Sequence, residues 1–180
     1  MAELKAVPAD RYNGSPIVPT GDPMIDGIGP AAWANRSDTP DMTVHGKAKV
    51  VPMRLDATYF VAKGDPDPRG MPVIAADKVV AGTVIELWVD RAEPQIRYYE
   101  VKLTNAERHV MLPVGFVQWP NLGLWGNDKL LVKAITSAQF ANVPDIQRDD
   151  QITLLEEDRV MAYYAGGHLY ATAARSEPII

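Results

Sequence analysis

Asp90-Arg-Ala-Glu-Pro-Gln-Ile-Arg97 brings Asp90, Arg91, Glu93 and Arg97 into one short segment. Two nearby carboxylates raise each other's proton affinity, burial adds to the effect, and a guanidinium opposes it. Asp90 and Glu93 can therefore form a coupled acid pair, with Arg97 limiting the upward shift. The plain alternative is a solvated cluster of charges at a loop. Neither Ser15, Ser37, Ser137 nor Ser176 lies in a nucleophile motif. Gly27-Ile-Gly29 is not followed by a helical pattern, so a dinucleotide site is not indicated. His109 alternates with core positions and reads as structural, whereas His168 follows Gly166-Gly167 and reads as exposed.

The flanking residues predict how that segment is held. Thr83, Ile85, Leu87 and Val89 alternate with Val84, Glu86 and Trp88. Beyond the charges, Arg97, Tyr99, Val101 and Leu103 alternate with Tyr98, Glu100 and Lys102. Both runs are strand-like, and Glu93-Pro94 ends the first because proline donates no ladder hydrogen bond. The charges then sit at the tip of a β-hairpin. Further short strands are predicted at Lys49–Met53, Thr58–Ala62, Met71–Ala75, His109–Val117 and Lys129–Ile135. Thr153-Leu-Leu-Glu156 is a capping box opening a helix of about three turns. Leu154, Met161 and Ala165 form its predicted apolar stripe, and Gly166-Gly167 its stop. Residues 1–52 carry Pro8, Pro16, Pro19, Pro23, Pro30, Pro40 and Pro52, predicting an extended arm that wraps its own domain or lies on a partner. The predicted division is arm 1–52, a mainly β domain 53–148 shaped as a small barrel or sandwich, and a helix with tail 149–180.

Composition narrows the partners. The 180 residues include no cysteine, which excludes disulfides and thiolate sites and fits a reducing compartment. A net charge of −5 without a basic run argues against nucleic acid. The uncharged stretch Met111–Asn127 is broken by Pro113, Gly115, Pro120, Gly123 and Gly126 and does not read as a membrane span. Within it, Trp119, Leu122, Leu124 and Trp125 make an apolar connection. It either folds onto its own domain, or Trp119 and Trp125 contact a neighbouring subunit or the membrane interface.

Several ordered motifs resemble the H subunit of the purple-bacterial photosynthetic reaction centre. They are Pro19-Thr-Gly-Asp-Pro-Met24 with Gly27-Ile-Gly-Pro-Ala31, Lys49-Val-Val-Pro-Met53, Gly64-Asp-Pro-Asp-Pro-Arg-Gly-Met71, Trp88-Val-Asp90, Phe140-Ala-Asn-Val-Pro144 and Thr153-Leu-Leu-Glu-Glu-Asp158. The resemblance implies a cytoplasmic PRC-type β-barrel that caps the L and M subunits and assists proton delivery to the secondary quinone. The family's transmembrane helix has no counterpart here, compatible with truncation and with separate encoding. A membrane-anchored H subunit could then coexist with this chain. The resemblance places Glu93 at the family's proton-uptake acid, with Asp90 and Arg97 beside it, and His45 at the proton entry. Lys47 replaces a second histidine there, which weakens any divalent-metal site. Quinone, bacteriochlorophyll, bacteriopheophytin and iron are expected in partner subunits, with none bound directly, and no covalent catalysis by this chain. Its expected location is the cytoplasmic face of the photosynthetic inner membrane, in peripheral contact. The other reading is a free-standing PRC-barrel adaptor serving another assembly, as in ribosome maturation factors.

Overall fold

The computed structural model describes residues 4–120 and 128–176. The arm opens with a ribbon of β1 (Ala6–Pro8) and β2 (Ile17–Pro19), then the single turn α1 (Pro23–Asp26). Asp22 caps that turn by accepting from the backbone N–H groups of Met24 and Ile25. The sheet follows: β3 (Val50–Pro52), β4 (Pro72–Ile74), β5 (Val80–Asp90), β6 (Gln95–Leu103), β7 (His109–Pro113), β8 (Val117–Gln118) and β9 (Leu130–Val132). Helix α2 (Leu154–Tyr170) closes the order.

The strands run β7-β6-β5-β4-β9-β8, with β3 pairing antiparallel to the end of β5. The protein is mainly β with a C-terminal helix, as the alternation predicts. The sheet is open: among the described residues β7 and β8 do not pair, so it does not close into a barrel. Pro113 lacks the N–H that would extend β7, and the chain turns through Val114–Phe116 before β8. The predicted strand at Thr58–Ala62 is irregular. There the Asp56 carboxylate accepts from the backbone N–H and hydroxyl of Thr58, a local turn that competes with a ladder.

Two register shifts interrupt the hairpin, between Val84 and Glu86 and between Trp88 and Val89. A bulge moves later side chains to the opposite face. Ile85 is consequently exposed while Glu86 is buried, and Leu87 to Asp90 are buried in succession. The last third of β5 is covered on both sides, which simple alternation does not anticipate.

Helix α2 starts at Thr153 with both halves of the capping box formed. It does not stop at Gly166-Gly167 but continues to Tyr170. Its buried side is Val160, Tyr163, Tyr164, Gly166 and Gly167, whereas Met161 is exposed. The predicted stripe is thus rotated. The two glycines are a notch into which other backbone fits: a Cβ on Gly166 would lie 2.5 Å from the Ala31 Cβ, and one on Gly167 2.5 Å from the Ala134 carbonyl oxygen. The arm fills the Gly166 side of this notch, with Met24, Ile28 and Ala31 buried, and the segment after β9 fills the Gly167 side. The stretch from Met24 to Ala31 therefore packs on its own domain, while Ile17 and Ile25 stay exposed. Arg175 fastens the far end of α2 by donating to the carbonyls of Ala134 and Gly167, each at 2.6 Å.

Candidate functional site: the cleft between the hairpin and the C-terminal helix

Asp90 ends β5 and is fully buried. Its Oδ1 accepts from the backbone N–H groups of Ala92 (2.8 Å) and Glu93 (3.0 Å), which fixes the hairpin turn. Among the described residues its Oδ2 accepts no hydrogen bond. The nearest cations are Arg97, whose guanidinium lies 3.5 Å away, and Lys49, whose Nζ lies 3.7 Å away. Lys49 is also 3.6 Å from an Asp41 carboxylate oxygen.

Across from Asp90, α2 contributes Glu157. Its Oε2 accepts from the Tyr98 hydroxyl at 2.7 Å and lies 3.9 Å from Arg97. These groups line a cleft of about 240 Å³. Arg36 and Asp158 form another part of its rim, 3.5 Å apart. Burial pushes the Glu157 carboxyl above its ordinary range, and the negative charges of Asp41 and Asp90 add to this. The Tyr98 bond and Arg97 oppose it. The Tyr98 phenol is driven far upward by burial first and by Glu157 second.

A carboxyl that binds its proton more tightly folded than unfolded costs stability as pH rises from the unfolded value through the folded one. Below both values it costs nothing. Glu157→Gln should therefore flatten the fall in thermal stability on the alkaline side of the ordinary carboxylate range. Melting curves from pH 4 to 8 check this, and a variant less stable than the parent at pH 8 would contradict it.

The structure divides the residues singled out in the sequence. Asp90 and Arg97 share the cleft. Glu93 is exposed at the hairpin tip, where its carboxylate accepts from the Gln95 side chain at 3.2 Å. Glu93 meets Asp90 through a backbone N–H, so the carboxylate facing Asp90 is Glu157 rather than Glu93. His45 is exposed in a neighbouring cleft of about 470 Å³ that also holds Lys47, Arg91 and Tyr59. Arg91 pairs there with Asp56 at 2.9 Å. Hydrogen bonds from Thr58, and then Arg91, hold the Asp56 carboxyl below its usual range.

A third groove, of about 450 Å³, adjoins this one through Tyr59 and is lined by Phe60, Ile96, Tyr99 and Trp119. Trp119 is half-buried against the core, while Phe60 is 77% exposed. Trp125 lies outside the described residues. Among those described, no three His, Asp or Glu side chains converge as a metal site, and no helix is long and apolar enough to cross a membrane.

In the sequence Glu157 stands only in the first turn behind the capping box, with nothing local that connects it with the hairpin. The capping box carried a usable signal. It occupies Glu156, so the next residue must point from a different side of the helix.

Comparison with known families bears on the readings of the chain. The model of the photosynthetic reaction centre H-chain N-terminal region matches residues 1–55, and that of the PRC-barrel domain matches residues 61–139. The chain is an H-subunit-like protein. The first match covers the arm and the second covers β4 to β9, in the order that the motifs anticipate. An H-type subunit is an accessory component and implies association with other subunits of the reaction-centre complex. In this H-type chain the cleft joins the two matched regions, since Lys49 belongs to the first and Asp90 and Arg97 to the second.

Proposed function

We propose that this H-type subunit caps the quinone side of the L and M subunits and assists proton delivery to the secondary quinone. The observation that carries the reading is the acid-lined cleft beside the hairpin turn, behind an exposed acid at the hairpin tip. A doubly reduced quinone in a buried site requires two protons. Their route needs titratable groups with shifted proton affinity, linked to solvent. Asp90, Arg97 and Glu157 supply the inner part, Glu93 the part that reaches outward, and His45 a proton-exchanging group at a neighbouring mouth. The Phe60–Trp119 groove, apolar and beside the tip, suits burial against partner subunits.

Quinone, bacteriochlorophyll, bacteriopheophytin and iron belong to those partners in this reading. The chain works at the cytoplasmic face of the photosynthetic membrane, as a peripheral component without covalent catalysis. In this reading a membrane-anchored H subunit can stand beside it in the same assembly.

The test is co-purification with L and M subunits from native membranes, followed by flash kinetics on Glu93→Gln. Proton-coupled reduction of the secondary quinone should slow by up to roughly 100-fold, the lower end of what a positioned proton donor contributes. Binding with unaltered kinetics would leave a structural cap and remove Glu93 from the route. A chain that binds neither L nor M would favour the adaptor reading.

A further inference from the structure

We infer that Glu157 holds the exchangeable proton of the cleft, coupled to Asp90 through the Arg97 guanidinium they share. For its physiological use the inference rests on the proton-delivery reading; its chemistry belongs to this chain alone.

The two acids are bonded unequally. Asp90 receives two backbone N–H groups and has two cations within 4 Å. Glu157 receives one phenol, with its one ion pair among the described residues at 3.9 Å. Donors and cations favour the charged form of a carboxyl, whereas burial and like charge favour the neutral one. A single proton entering the cleft is therefore better held on Glu157. Asp90 lines the cleft, and its fully buried Oδ2 takes no hydrogen bond from the described residues.

The groups facing Glu157 come from every neighbouring element. The arm side brings Arg36, Asp41 and Lys49; the hairpin brings Asp90, Arg97 and Tyr98; its own helix brings Asp158. Lys49 lies between Asp41 and Asp90, and Arg36 beside Asp158. That leaves Arg97 as the cation shared by Asp90 and Glu157. When Glu157 takes a proton, Arg97 is free to shift toward Asp90. When Glu157 releases it, the guanidinium is divided between two negative charges. The Tyr98 hydroxyl can donate to the ionised carboxylate and gives the released proton no competing base.

The experiment is a carboxyl-carbon NMR titration of the full chain, with Glu157→Gln identifying the resonance. Glu157 should titrate above the ordinary glutamate range. Asp90→Asn, which keeps an acceptor for the turn but removes the charge, should move its midpoint down. Arg97→Gln should move it up, and Tyr98→Phe should move it the same way; these two keep the test open if Asp90→Asn does not fold. A midpoint at the ordinary glutamate value overturns the inference, as does one indifferent to these substitutions. Neither result touches the reaction-centre reading, which stands or falls on co-purification. Conversely, a high midpoint that responds to Asp90 supports the inference even in a chain that binds neither L nor M.

Discussion

Gly167→Ala is expected to destabilise the fold by about 1–3 kcal/mol, the range for forcing a methyl group into packed surroundings. In an ordinary exposed helix interior the same change would stabilise by roughly 1 kcal/mol, because glycine is a poor helix former. Packing reverses the sign. The added Cβ would meet the Ala134 carbonyl oxygen and the Ile135 side chain, both at 2.5 Å, and the first is backbone that cannot rotate away. Gly166→Ala presses on Ala31 instead. It should loosen residues 24–31 of the arm and spare the sheet. Denaturant unfolding measures the first effect, and hydrogen exchange resolved along the chain separates the second. A stabilised Gly167→Ala would mean that α2 does not seat as described.

Asp90→Ala should cost about 2–4 kcal/mol. Breaking a buried charge pair costs about 3–5 kcal/mol, and the partial exposure of Lys49 and Arg97 reduces that figure. The same change also removes the acceptor for two turn N–H groups. Asp90→Asn keeps that acceptor and loses only the charge, so it should cost less, on the order of 1 kcal/mol. The difference between the two variants measures what the carboxylate contributes to hairpin geometry, apart from its electrostatics. Equal losses would place all of its contribution in the charge. In quinone kinetics the two should also part: a slow Asp90→Asn with an intact hairpin would implicate the charge itself.

The long hairpin, the capping box and the mainly β class could be read directly, because each depends on neighbours in the chain. Thr153 and Glu156 are three residues apart and satisfy each other's backbone N–H groups whatever surrounds them. Errors arose where distant segments decide. Gly166-Gly167 resembled a helix stop because local propensity points that way, yet Ala31 and Ala134 require the space beside it. The reading of Ile85 failed at a bulge, which shifts alternation without marking the composition. In the cleft, the neighbourhood of Asp90 and Arg97 is legible because one hairpin holds both. That of Glu157 is not, because its meeting with Tyr98 joins positions 59 residues apart. Glu93 was placed at the tip correctly, but its carboxylate does not face that of Asp90.

The clasp between the arm and α2 has a consequence for the order in which the protein can be made. The Ala34 N–H donates to Asp158, 124 positions further along the chain. During synthesis the arm emerges first, and the helix that receives it emerges near the end of this sequence. Loop closure over such a separation is slow and comes late. Until then Met24, Ile28 and Ala31 have no helix to bury them. A nascent chain exposes these side chains while the sheet is already forming, and exposed apolar surface of that kind is what makes folding intermediates prone to aggregate.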